Sequence, residues 1–352
     1  MEKIAAITVT RQGIEIGRRV LAKHPSAHLY LSTKYGRPEG AREFGFDGIM
    51  KGLLAEIYPK YDGFLFIMAT GIVVRMILDY VKDKKHDPAI LVIDIKGKFV
   101  ISLLSGHLGG ANRLANEVAG WIDAIPVITT GTDVNETIAP DLIAVEIGGE
   151  IDDFEKMKQV SALLVDGQKV GVLRLIDLPI KSLQSGLKEN IILCESVDAL
   201  NASLCKGAIV ITEQLFPDGE IHVPEVCFVR PKNLIVGIGC NRGTAAEEFE
   251  AVFEILKVHR LSSKSIQSIA AIDLNKDEAG LLAFADRHKW PIRFFSKEEI
   301  EALGVPPNPS EEVARHIGVK GVAEPSALLA SQGKLIVEKI KHGNITVAVA
   351  LS

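Results

Sequence analysis

FVISLLSGHLGGANRLANEVA, residues 99–119, decides the fold. Its first six residues are mostly apolar and include Val100 and Ile101, the composition of a short strand. Ser105-Gly106-His107-Leu108-Gly109-Gly110 interrupts that run, and from Gly109 to Trp121 the residues recur at helical spacing. Strand, glycine-rich loop and helix make the building unit of a mostly parallel sheet covered by helices. The unit recurs upstream. KIAAITVT (3–10) is a strand that leads into a helix from Gly13 to about Lys23, and AHLYLS (27–32) is the next strand. FLFIMAT (64–70) is a continuous apolar run, as a strand buried on both faces requires. IVVRMILDYV then has helical spacing, with Val73, Ile77 and Tyr80 on one side. AILVID (89–94) pairs with FVISLL (99–104) across a Lys-Gly-Lys turn as a hairpin, and PVITTGT (126–132) is a strand running into a loop.

Downstream the pattern restarts twice. FEKMKQVSALLVDG reads as a helix closed by a glycine; KVGVLRL, NIILCE and AIVITE read as strands. FPDGEIHVPEVCFVRPKN (216–233) holds three prolines and reads as a linker, with CFV as an edge strand inside it. NLIVGIGC (233–240) opens the last segment, and Thr244 is placed to cap a helix from Ala245 to about Val258. SIAAIDLN and PIRFFS are strands on either side of a helix from Asp277 to Lys289. Ser296 and Glu299 have capping-box spacing, AEPSALLAS starts a helix near Pro325, and KLIVEKI and NITVAVAL close as a strand pair. Formal charge divides the chain in the same places: +3 over 1–135, −8 over 136–230 and 0 over 231–352. The expectation is an α/β protein of two principal domains, 1–135 and 231–352, with a variable middle segment, 136–230.

Composition removes several function classes. A net charge of −5 lacks the basic excess of a nucleic-acid protein. No apolar run approaches the ~20 residues of a membrane span, and the charges in MEKIAAITVTRQG leave no signal-peptide core. The expected location is the cytoplasm. Cys194, Cys205, Cys227 and Cys240 form neither CxxC pairs nor a paired zinc pattern, so no protein-held metal is expected.

Three loops carry residues suited to chemistry. Ser105, Gly106, Gly109 and Gly110 let a ligand approach the backbone closely, and the following helix presents unpaired N–H groups. His107 in that loop is an acid or base near neutral pH, while Asn112 and Arg113 suit polar and carboxylate contacts. A glycine-rich connection with a histidine cap has the same composition. Thr129, Thr130, Gly131 and Asp133 follow a strand, as ligand crevices and ordinary turns both do. Thr70 and Gly71 begin a helix that carries Arg75, either an anion site or a solvated charge. In Gly237-Ile238-Gly239-Cys240-Asn241-Arg242-Gly243-Thr244, Arg242 occupies the sixth place of a dinucleotide fingerprint, which makes that match weak. Cys240 fits a small buried hydrophobe better than a nucleophile, and Glu324 fits a helix cap.

Together these strings resemble the CbiG family, cobalt-precorrin-5A hydrolases of anaerobic cobalamin biosynthesis. ATGIVVRMI (69–77), SLLSGHLGGANRLANEVA and PVITTGTDV (126–134) carry the amino-terminal match; IVGIGCNRGT (235–244) and AEPSALLAS (323–331) resemble a terminal domain shared with CobE. The resemblance implies opening of a δ-lactone on a cobalt tetrapyrrole, loss of acetaldehyde and formation of cobalt-precorrin-5B. It implies no resident cofactor, because cobalt arrives within the substrate, and partners drawn from the same pathway. His107 is the expected base, with Asp133 or Glu117 orienting it. Thr70, Gly71, Arg75, Ser105, Gly106, Gly109, Gly110, Asn112, Arg113, Thr129, Thr130, Gly131, Gly239, Asn241, Arg242, Thr244 and Glu324 are the expected substrate contacts. A non-catalytic tetrapyrrole carrier, or a nucleotide-binding protein using 237–244, are the competing classes.

Overall fold

The computed structural model describes every residue except 1–2, 48–49, 84–85, 132–134, 136, 185–186, 305, 312–314 and 316–317. The chain forms two compact units, Met1–Thr137 and Ile138–Ser352.

The first unit is a seven-stranded sheet in the order β3-β2-β1-β4-β5-β6-β7. Its strands are β1 Ile4–Thr8, β2 Ala27–Ser32, β3 Glu43–Phe46, β4 Gly63–Ile67, β5 Ala89–Ile93, β6 Phe99–Leu104 and β7 Ile125–Val127. β1, β4 and β5 are buried along their whole length, because helices cover both faces. Helices α1 (Arg11–Lys23) and α4 (Ala111–Ile122) pack Val20, Leu114 and Val118 against Ile4, Leu65 and Leu91 on one face. Helices α2 (Met50–Ile57) and α3 (Thr70–Ile77) pack Leu54, Val73 and Ile77 against Ile7, Phe64 and Ile90 on the other. Thr10 starts α1 by accepting the Gly13 N–H at 3.0 Å. β5 and β6 form the antiparallel hairpin that the Lys-Gly-Lys turn predicts, with Ile90 opposite Leu104 and Ile93 opposite Val100. That reversal sets the site. β4 and β5 run parallel and β6 runs against them, so the carboxyl end of β4 lies at one end of the strands and that of β6 at the other.

The second unit holds two five-stranded sheets. One has the order β10-β9-β11-β12-β8, from Ile191–Cys194, Val170–Arg174, Gly207–Ile211, Glu225–Arg230 and Glu150–Ile151. Residues 216–233 are not the linker with an edge strand that the sequence suggests. Glu225–Arg230 is an interior strand, parallel to β11 and antiparallel to β8. Its prolines flank the strand, so no ladder hydrogen bond is lost. The other sheet has the order β15-β14-β13-β17-β16, from Ile292–Phe295, Ile266–Ile272, Leu234–Cys240, Ile345–Leu351 and Lys334–His342. The helix Ala323–Ser331 lies on it, and the capping box of Ser296 and Glu299 is formed.

These two sheets are joined by charge as well as by backbone. Arg230, 2% exposed, pairs with Asp152 at 2.8 Å and donates to the Thr212 and Gln214 carbonyls, while Lys264 reaches Asp152 at 3.0 Å. Burial of Asp152 opposes its ionisation, but Arg230, backed by Lys264, outweighs it and holds the carboxyl below its ordinary pKa. Gln214 bridges Leu261, and Ser262 N–H donates to the Glu213 carbonyl at 2.8 Å.

Candidate active site

The loop 105–110 is built by its own backbone. Ala111 N–H donates to the Ser105 carbonyl at 3.0 Å, Asn112 N–H to Gly106 at 3.0 Å and Gly110 N–H to His107 at 2.9 Å. The Gly110 N–H is therefore committed to the turn and does not serve as a donor to a ligand. Gly110 itself takes φ 78° as the N-cap of α4, a conformation that a side chain disfavours. A side chain at Gly109 would collide with Ser105, so these two residues must touch through bare backbone on one side.

Asn112 organises what surrounds the loop. The residue is 6% exposed, and its side chain accepts the Ser102 hydroxyl at 2.6 Å and donates to Thr130 Oγ1 at 3.1 Å. A Cβ at Gly106 would come within 2.8 Å of its amide oxygen. Asn112 is thus not a surface contact for substrate, as the sequence suggests, but the tie between β6, the 105–110 loop and the loop after β7. Ser102 is not among the residues the sequence singles out; its signal is a lone hydroxyl inside an apolar strand.

The remaining candidates of the first unit divide clearly. His107 and Ser105 are half-buried in the loop. Arg113 and Glu117 pair with each other at 2.8 Å on the outer side of α4, so Glu117 is engaged by Arg113. Thr129 and Gly131 are exposed, and the Gly131 carbonyl accepts from Asn135. Asp133 lies outside the described residues. Thr70, Gly71 and Arg75 follow β4 and stand at the opposite end of the strands from 105–110. Arg75 donates to the Gly71 carbonyl at 2.9 Å, closing its own turn. The structure does not bring Arg75 and Arg113 together.

The turn at 239–244 in the second unit is filled from within. Glu278, 5% exposed, accepts the Gly243 N–H at 3.1 and 3.2 Å. Arg242 pairs with Asp277 at 2.5 Å, and Asn241 bonds Asn344 through both backbone and amide. Thr244 does not cap a helix: its hydroxyl donates to the Asn241 carbonyl at 2.7 Å, and a 3₁₀ turn, Ala246–Glu250, precedes the helix Ala251–Val258. Gly239 is buried against Val322 and Thr346, and a Cβ at Gly237 would strike the Ala323 carbonyl. These glycines serve close helix-on-sheet packing, not a phosphate. Burial, with Asn275 opposing it, pushes the Cys240 thiol up to about 11, so it is protonated at neutral pH. Glu324, 1% exposed, receives Asn308 N–H, the Asn308 amide and Lys339 N–H on its two oxygens. It anchors the 306–310 loop to β16.

Fold and site define an α/β protein with an open strand-to-helix turn in one unit and a closed one in the other. The chain belongs to the CbiG family of cobalamin synthesis proteins. Family models described as "Cobalamin synthesis G N-terminal", "Cobalamin biosynthesis central region" and "Cobalamin synthesis G C-terminus" match residues 52–133, 138–229 and 234–350. It is 37% identical over 362 residues to the cobalt-precorrin-5A hydrolase of Priestia megaterium, covering 99% of this chain and 94% of that protein. It is 33% identical over 353 residues to the hydrolase of that name from Salmonella typhimurium, covering 100% and 98%. Its terminal part is 35% identical over 121 residues to protein CobE of a Sinorhizobium species, which is 33% of this chain and 79% of that one.

Proposed function

We propose that the chain hydrolyses cobalt-precorrin-5A, opening its δ-lactone and releasing acetaldehyde to give cobalt-precorrin-5B in anaerobic cobalamin biosynthesis. The observation that carries this reading is the alignment of essentially the whole chain with two proteins bearing that name. The reaction is assigned to the 105–110 loop. Lactone opening needs a group that accepts a proton, and fragmentation of the exposed alcohol needs it again. An imidazole, with an ordinary pKa of ~6.5, does both near neutral pH, and His107 is the imidazole in that loop. The Gly106 and Gly109 N–H groups have no hydrogen-bond partner among the described residues and are the donors for the lactone oxyanion. The macrocycle takes up the electrons of C–C cleavage, so no resident cofactor is required. Arg113, exposed beside the loop, offers a guanidinium to a peripheral carboxylate if it exchanges Glu117 for substrate. The setting is the cytoplasm, among other enzymes of the pathway; among the described residues no helix is long and apolar enough to cross a membrane.

Purified protein incubated with cobalt-precorrin-5A is expected to release acetaldehyde. The His107→Ala variant is expected to bind the macrocycle yet release acetaldehyde about 10²–10⁴-fold more slowly. A His107→Ala rate equal to wild type removes His107 from the chemistry.

A further inference from the structure

Six described residues other than glycine have positive φ: Ser105, Asp123, Leu204, Arg260, Lys289 and Gln332. Five of them follow directly on helices, where a left-handed residue is an ordinary way to stop. Ser105, at φ 60°, instead ends a strand and opens the loop to α4. Nothing about stopping a helix accounts for it. Serine does not favour this conformation, so its surroundings must impose it. They do so at three points: the missing side chain of Gly109, the Ala111 N–H on the Ser105 carbonyl, and buried Asn112 beneath Gly106. Ser105 is half-buried, and its hydroxyl has no hydrogen bond among the described residues. A serine held in strain at a sharp strand-to-helix turn, with its hydroxyl uncommitted, is the geometry that presents a nucleophile at the end of a strand.

We propose that Ser105 is the nucleophile that opens the lactone, an inference that rests on the hydrolase reading above. Ser105 Oγ bonds to the lactone carbonyl carbon while its proton passes to His107. The carbonyl oxygen gathers negative charge beside the Gly106 N–H, the N–H of the residue after the nucleophile. Collapse breaks the ring C–O bond, and the departing alkoxide takes the proton back from His107. The products are an ester of Ser105 and a free alcohol on the macrocycle. A water molecule, losing its proton to His107, then attacks that ester and returns Ser105 as its hydroxyl, leaving the carboxylic acid. One water is consumed and no oxidant or reductant is needed. The macrocycle stays tethered to the protein between the two steps.

The test uses the full chain with cobalt-precorrin-5A. Wild type is assayed first for acetaldehyde; if none is released, the hydrolase reading fails, independently of Ser105. Given an active wild type, Ser105→Gly is the decisive variant, because glycine accepts φ 60° and keeps the loop. It is expected to fold, to bind the macrocycle with unchanged KM, and to lose about 10³-fold or more in kcat. Wild type turning over in hydroxylamine is expected to yield the hydroxamate of the lactone carboxyl, captured from the Ser105 ester, in excess over the amount formed by direct attack on the lactone with Ser105→Gly. Ser105→Gly retaining kcat within about tenfold of wild type overturns the proposal. So does a loss of activity in Ser105→Gly when wild type forms no more hydroxamate than that variant, since Ser105 is then not acylated. A raised KM at unchanged kcat also overturns it, by making the hydroxyl a binding contact.

Discussion

At 105–110 the Ser105 hydroxyl and the Gly106 and Gly109 N–H groups are uncommitted among the described residues, while at 239–244 the comparable groups are taken up by Glu278, Asp277, Asn344 and Asn241. Both turns join a strand to a helical segment and both are rich in glycine, although the first strand is mostly half-buried and the second buried. The glycines answer different demands. Gly109 and Gly110 shape the turn itself, whereas Gly237 and Gly239 let the helix Ala323–Ser331 and strand β17 approach β13. A glycine-rich turn is therefore a site only where its donors are left over after the protein has satisfied itself. The same rule separates the two carboxylates at these turns. Glu278 occupies the backbone donor of its turn, and Glu324 is tied by three hydrogen bonds. Neither is placed to act on substrate.

The contrast is broken most easily at Asn112. Asn112→Leu removes the tie to Ser102 and Thr130 and releases the open turn, so kcat is expected to fall about 10²-fold, as misplacement of reacting groups does. KM is expected to stay within about threefold, which steady-state kinetics on cobalt-precorrin-5A resolves. Equal loss from Thr130→Val, non-additive with Asn112→Leu, identifies the Asn112–Thr130 bond as the coupling. An unchanged kcat in Asn112→Leu sets the open turn aside as the reaction centre.

The closed turn should respond in stability and not in rate. Glu278→Ala leaves the Gly243 N–H without its carboxylate and is expected to cost about 1.5–3 kcal/mol in urea unfolding, with kcat and KM near wild type. A changed KM would bring this turn back as a substrate contact.

A smaller effect comes from the join between the two sheets of the second unit. Asp152→Asn is expected to cost about 1.5 kcal/mol at neutral pH. Because the native pKa of Asp152 lies below its unfolded value, the wild-type advantage is full above about pH 4. It shrinks as the pH falls through the lowered native pKa. Unfolding curves of both proteins across that range check the sign, and an advantage that grows on acidification contradicts the Arg230–Asp152 assignment.

The smallest effect is at Cys240. With its pKa pushed up to about 11, the thiolate is under about 0.1% of the population at pH 7.5. Alkylation is expected to be at least about tenfold slower than for free cysteine, and Cys240→Ser is expected to retain activity. Rapid labelling with loss of activity would make the second turn chemically active after all.

Much was legible along the chain because it depends on near neighbours. Apolar runs such as FLFI and AILVI announce strands buried on both faces, the Lys-Gly-Lys turn announces the β5–β6 hairpin, and Ser296 with Glu299 announces a capped helix. The strings around SGHLGGAN and GIGCNRGT carry the family. What the sequence did not disclose is decided by residues far apart. Glu278 fills the Gly243 turn from 35 positions away, and Asp152 neutralises Arg230 across 78. The strand Glu225–Arg230 becomes interior only because β8, some 75 residues earlier in the chain, pairs with its outer side. The direction of β6 places 105–110 and Thr70–Arg75 at opposite ends of the strands, although each is a small-residue turn after an apolar strand. Local propensity and patterning determined which segments are strands, turns and helices. Only tertiary packing decided which polar groups at those turns remained unpaired, because a donor is free or filled according to what the rest of the fold brings beside it.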